Sequence, residues 1–80
     1  MAHLRLFASA REAAGTSADR VDGSTVGEVL DAACERFGDG FVHVLATCRV
    51  WVNGESADRA TTVGAEDEVA VLPPVSGGSR

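Results

Sequence analysis

Residues 25–37 read TVGEVLDAACERF, and the periodicity of this stretch decides the fold. Val26, Val29, Leu30, Ala33, Cys34 and Phe37 recur at the helical period and form one apolar stripe. Thr25 and Glu28 have the T-x-x-E spacing of a capping box, and Gly38 stands where a helix stops. Gly27, in the first turn, costs a helix about 1 kcal/mol relative to alanine, and nothing in the sequence accounts for it. A helix with one apolar side must bury that side. The segments before and after it have to supply the surface.

They read as strands. Residues 3–8, HLRLFA, alternate, with Leu4, Leu6 and Ala8 on one face and His3, Arg5 and Phe7 on the other. SAREAAGTS follows as a loop or short helical turn, and residues 17–22 form a weaker strand that hairpins back. After the helix, residues 39–47 read as irregular, with Phe41, Val44 and Leu45 plugging the core. Residues 48–53, CRVWVN, alternate again: Cys48, Val50 and Val52 against Arg49, Trp51 and Asn53. Asn53-Gly54 is the strongest turn signal in the chain, and ESADR pairs back as a short strand. Residues 68–72, EVAVL, make the last strand, ended by Pro73 and Pro74. The expected fold is α+β, one main helix on one face of a mixed four- to five-stranded sheet. This is the β-grasp arrangement. The expected organisation is a domain over residues 1–74 and a flexible tail over 75–80.

Composition excludes several functions. The chain has 80 residues, 45% of them hydrophobic, which suits one small globular domain. A net charge of −5 argues against nucleic acid, which demands a basic stripe. No apolar run is long enough for a membrane span, and the N-terminus lacks a signal-peptide pattern, so a cytoplasmic protein is expected. Cys34 and Cys48, with only His3 and His43, do not make a metal site, and both read as reduced and partly buried. No Ser-His-Asp or Cys-His arrangement is visible, and Glu66, Asp67 and Glu68 read as an exposed acidic loop. The expectation is no catalytic residue, no metal and no bound cofactor. All seven basic residues are arginine, so lysine chemistry is impossible in this chain.

Two features remain. The helix covers Leu4, Leu6, Val50, Val52, Val69 and Val71. That leaves Phe7, Trp51 and Leu72, with Arg5 and Arg49, on the other face of the sheet. Three large apolar residues on an open face read as a partner site. The chain then ends LPPVSGGSR. Pro73 and Pro74 stiffen the exit, Val75 and Ser76 are short, and Gly77 and Gly78 have no Cβ. A partner enzyme could thread this thin end through a narrow channel. The reactive atom would be a glycine carboxyl, activated by ATP as an acyl-adenylate and converted by a sulfur nucleophile to a thiocarboxylate.

The stretches LRLFASAREAAG, STVGEVLDAACERF, VWVNGE and EDEVAVLPPVSGG resemble the small sulfur-carrier proteins of the MoaD/ThiS family, most closely the small subunit of molybdopterin synthase. The resemblance covers nearly the whole chain, and its specific element is DEVAVLPPVSGG. It implies that Gly78 is the residue adenylated and thiocarboxylated, with Gly77, Ser76 and Val75 threading beside it. It implies an E1-like adenylating enzyme, which uses ATP, and the large subunit of molybdopterin synthase as partners. Phe7 and Leu72 match positions that contact them; Trp51, Arg49, Pro73 and Pro74 complete the expected interface. Two features depart from the family. Glu66 stands where the family commonly has glycine, and Ser79-Arg80 follow the diglycine. With those residues attached Gly78 has no free carboxyl: either a processing protease removes them, or they are a remnant foreign to the natural chain, or the carrier function has been lost, and removal by a protease is the reading favoured here. The alternatives are a sulfur carrier for cysteine or thiamine thiazole formation, a ubiquitin-like protein modifier, or a plain binding module.

Overall fold

In the computed structural model, which describes residues 1–74, the helix read from residues 25–37 is α2 (Val26–Phe37). The other elements, in chain order, are β1 (Ala2–Leu6), α1 (Ala8–Ala14), β2 (Ala18–Val21), α3 (Asp39–Leu45), β3 (Arg49–Val52), β4 (Glu55–Ser56) and β5 (Glu68–Leu72). The strands form a mixed sheet in the order β2-β1-β5-β3-β4. β1 and β5 are parallel at its centre, with Leu4 opposite Val69 and Leu6 opposite Val71. The other neighbouring pairs, β1 with β2, β3 with β5 and β3 with β4, are antiparallel. A parallel pair needs a crossover, and here the crossover is nearly the whole chain between β1 and β5.

The core lies between the sheet and α2. Leu4, Leu6, Val69 and Val71 are buried on the sheet side, and Val26, Val29, Leu30 and Ala33 on the helix side. Val21, Ala10, Phe41 and Val63 close it. Val50 and Val52 pack against this cluster but are only half-buried, because β3 lies nearer the sheet edge.

The start of α2 differs in detail from a reciprocal capping box. Thr25 Oγ1 accepts from the Glu28 N–H (3.2 Å), as the spacing predicts. Glu28 Oε1 instead accepts from the backbone N–H (2.8 Å) and hydroxyl (3.0 Å) of Ser24, one residue upstream of Thr25. The backbone here is bridged to residues 61–63: the Val26 N–H donates to the Thr61 carbonyl and the Val63 N–H to the Ser24 carbonyl. Gly27 now has its reason. Its N–H donates to the Arg59 carbonyl at 2.9 Å. A Cβ at Gly27 would lie 3.2 Å from that same oxygen. The missing side chain lets the 57–63 loop lie on the helix.

Three expectations change. Ala8 is not a strand residue. The strand ends at Leu6, Phe7 is extended (φ −128°, ψ 148°), and Ala8 turns at φ 51° to open α1, so that of the loop or short helical turn expected here the helical reading holds, as a seven-residue helix. Residues 39–45 form helix α3 rather than irregular chain. Phe41, Val44 and Leu45 are one helical face: Phe41 is buried with its ring edge-on to Phe37 (5.2 Å), and Val44 and Leu45 pack beside it. Cys48 precedes β3 rather than belonging to it. By contrast β5 has the predicted limits, and Asn53 (φ 52°) and Gly54 (φ 85°) are both left-handed, as a two-residue I′ hairpin turn requires.

Candidate functional site

On the face of the sheet away from α2, alternation along β5 places Glu68, Ala70 and Leu72. Register builds rows across this face. Arg5 stands opposite Ala70, and Ala70 stands opposite Trp51. Leu72 stands opposite Arg49. Phe7 continues the parallel ladder beyond β1, its N–H donating to the Val71 carbonyl at 3.3 Å. The predicted residues therefore converge. Phe7, Trp51 and Leu72 line one groove of about 280 Å³, and Arg49, Trp51, Leu72, Pro73 and Pro74 line an adjoining one of about 390 Å³. Trp51 and Leu72 are shared by both. Phe7 is 39% exposed, one of only three large hydrophobic side chains that open to water among the described residues. α3 does not cover this face, because it packs with α1 and α2 on the other side.

Sequence reasoning missed Gly54, Glu68 and Ala70, which also line the groove. The signal for Ala70 was present. A small residue between Val69 and Val71 on the outward phase of a strand leaves a notch beside whatever large side chain stands opposite. The charges at the rim are organised. Arg5 Nη1 donates to Glu68 Oε2 at 3.1 Å, and its guanidinium lies 5.8 Å from the centre of the Phe7 ring. Such an exposed pair adds little to stability, but together with the cation–π contact it orients the Phe7 edge of the groove.

The acidic loop at 66–68 has divided duties. Asp67 Oδ1 accepts from Asn53 Nδ2 (2.9 Å) and Oδ2 from the Gly64 N–H (2.8 Å). These bonds, the Asn53 amide first and the Gly64 N–H second, hold the Asp67 carboxyl below its ordinary range. Gly64 thus serves the turn from two places before Glu66. Cys34 and Cys48 are free, half-buried thiols lining a cleft between α2 and α3. Burial pushes both thiols up in pKa and keeps them protonated, which makes them poor nucleophiles. Among the described residues no cluster of three or more His, Cys, Asp or Glu could hold a metal ion. No helix there is long and apolar enough to cross a membrane. Val75, Ser76, Gly77 and Gly78, with Ser79 and Arg80, lie outside the described residues.

The profile of the ThiS family matches residues 4–78. Small archaeal modifier protein 1 of Haloferax volcanii is 41% identical over 88 aligned residues, covering 92% of this chain and 97% of that protein. Its crystal structure superposes with a TM-score of 0.83 at 35% identity, covering 96% of this chain and 98% of that one. The solution structure of small archaeal modifier protein 1 from Methanosarcina acetivorans gives a TM-score of 0.86 at 27% identity, covering 96% and 95%. The fold recurs, at 23% identity and a TM-score of 0.72 over 96% and 97% of the two chains, in the complex of subunits 1 and 2 of the molybdopterin-converting factor from Helicobacter pylori. A match over nearly the whole chain, on a β-grasp sheet, settles the family: this protein belongs to the ThiS family of small sulfur-carrier and ubiquitin-like modifier proteins.

Proposed function

We propose that this chain is a sulfur carrier for molybdopterin synthesis whose reactive group is the carboxyl of Gly78. The Gly78–Ser79 amide is first hydrolysed by a processing protease, freeing the glycine carboxylate. An E1-like enzyme joins that carboxylate to AMP, using ATP and releasing pyrophosphate. A sulfur nucleophile then displaces AMP and leaves a thiocarboxylate, which the large subunit of a molybdopterin synthase consumes. The chain supplies no catalytic side chain to these steps. Its own contribution is docking: Phe7, Trp51 and Leu72 seat a partner on the open face, Arg49 flanks it, and Pro73 and Pro74 direct Val75, Ser76 and Gly77 into the partner's channel.

The observation that carries this reading is the continuity of the apolar groove with the Pro73–Pro74 exit. The same two side chains, Trp51 and Leu72, line both the groove and the adjoining pocket that Pro73 and Pro74 complete. A partner seated on the groove is thereby positioned to receive the tail. The test is reconstitution with an E1-like enzyme and ATP. A chain ending at Gly78 should release pyrophosphate stoichiometrically, and the chain carrying Ser79-Arg80 should not. Pyrophosphate release that ignores the state of the terminus would overturn the proposal.

A second reading is favoured by the 41% identity to small archaeal modifier protein 1. Here the activated Gly78 acylates a lysine amine on a target protein. With no lysine of its own, the chain could be conjugated singly but not built into polymers through its own side chains. An isopeptide remnant ending in Gly78 on target lysines, found by peptide mapping, distinguishes this fate from sulfur transfer.

A further inference from the structure

The turn that closes β3 onto β4 carries a reaction of its own. In an Asn-Gly dipeptide the backbone nitrogen that follows the asparagine is unobstructed, because glycine has no Cβ. The Gly54 nitrogen can attack Asn53 Cγ, passing its proton to a base in solution. A bond forms between that nitrogen and Cγ, and the bond from Cγ to Nδ2 breaks. The leaving nitrogen takes a proton from water and departs as ammonia. Water then opens the five-membered imide at either carbonyl and leaves aspartate or isoaspartate. The net change is one amide and one water converted to one carboxyl and one ammonia.

We infer that Asn53-Gly54 is a latent deamidation site held shut by the fold, with Asp67 as the residue that holds it. Asn53 Nδ2 donates to Asp67 Oδ1 at 2.9 Å, and Asn53 Oδ1 accepts from the Glu68 N–H at 2.9 Å. The Asn53 backbone N–H donates to the Glu68 carbonyl, also at 2.9 Å. This orientation of the amide pairs its NH₂ with the carboxylate and its oxygen with the Glu68 N–H; turned over, its oxygen would face a carboxylate and its NH₂ an N–H. Cγ is therefore pinned toward the start of β5, and reaching the Gly54 nitrogen requires both side-chain bonds to break. Asp67 is itself fixed, since Oδ2 accepts from the Gly64 N–H at 2.8 Å. Asn53 and Gly54 are exposed, so water and base reach them freely. The restraint is hydrogen bonding, not burial.

The product would have consequences at the groove. A carboxylate at position 53 would face the Asp67 carboxylate at a former hydrogen-bond distance, with no proton between them. Isoaspartate would add a main-chain atom to a two-residue turn. Gly54 lines the groove with Phe7 and Trp51, so its rim would move. The reaction itself is read by mass and needs no partner.

The test compares the full chain with Asp67→Asn at mildly alkaline pH, following the gain of about 1 Da and mapping it to the 53–54 peptide. Asp67→Asn keeps an oxygen for the Gly64 N–H but presents a second NH₂ to Asn53, so the turn survives while the clasp is lost. It should deamidate about tenfold faster than the natural chain, from the strength of a hydrogen bond to a charged acceptor at an exposed site. The natural chain in denaturant should react faster than either. A folded Asp67→Asn protein that deamidates at the natural rate would overturn the role of Asp67. If that variant does not fold, the natural chain alone decides: equal rates folded and in denaturant would overturn the protected site.

Discussion

Trp51 and Ala70 stand directly opposite one another across the β3–β5 ladder. The chain's one tryptophan is thus paired with one of the smallest side chains, and the difference in height hollows the outer face of the sheet. Leu72 and Phe7 extend the hollow toward the Pro73–Pro74 exit, while Arg5 and Glu68 close its other side.

Filling that hollow should separate docking from folding. Ala70→Phe places a ring on the solvent face without touching the core, so stability should change by about 0.5 kcal/mol or less. Affinity for the E1-like enzyme should fall at least about tenfold, since a groove contact is blocked at its centre. Thermal unfolding and titration calorimetry on the same protein check both halves.

Phe7→Ala should behave similarly from the other wall. Phe7 is not part of the buried core, and its ring lies against the Arg5 guanidinium. Losing an exposed cation–π contact costs about 0.5–1 kcal/mol of stability. Loss of an aromatic anchor should cost about 2 kcal/mol or more of partner binding. Paired denaturation and binding curves read the two separately.

Gly27→Ala should destabilise, against helix propensity. Alanine would gain about 1 kcal/mol in an unobstructed helix. Here its Cβ lies 3.2 Å from the Arg59 carbonyl oxygen, which also accepts the 2.9 Å bond from the Gly27 N–H. The loop must retreat and that bond must stretch. A net loss of about 1 kcal/mol in urea denaturation is expected.

The acid side of the stability profile should depend on Asp67. Its carboxyl is held below the ordinary aspartate value by the Asn53 amide and the Gly64 N–H. A group depressed in the folded state stabilises above its unfolded pKa, and that contribution disappears as pH falls through the folded pKa. Stability should therefore decline as pH drops below the ordinary aspartate range. Asp67→Asn should show a shallower decline over the same interval, measured by denaturant midpoints against pH. Asp19 is depressed in the same sense by Arg36 and the Arg20 N–H, so some slope should persist in the variant.

Much of this was legible in the sequence, for identifiable reasons. α2 carries its pattern at period 3.6 over 12 residues, and β5 alternates cleanly at period 2 up to the stop at Pro73 and Pro74. Asn53-Gly54 declares its turn because few other residues accept two left-handed positions in succession. The groove followed from alternation alone, since Phe7, Trp51 and Leu72 fall on the outward phase of their segments. Where reading stopped short, tertiary context decided. Ala8 continued the alternation of β1, but φ 51° turns the chain away into α1. α1 buries mainly alanines, a weak periodic signal. α3 is short, follows Gly38 and contains Gly40, and the turn character of these two glycines masked the helical spacing of Phe41, Val44 and Leu45. Gly27 needed its partner, Arg59, which stands 32 residues away.

The central claim concerns Gly78, and the intact mass of the protein from its native host tests it most directly. The account predicts a chain ending at Gly78, with a fraction heavier by about 16 Da, the exchange of one carboxyl oxygen for sulfur. A chain that retains Ser79-Arg80 under conditions demanding molybdopterin, with no such increment, would contradict it.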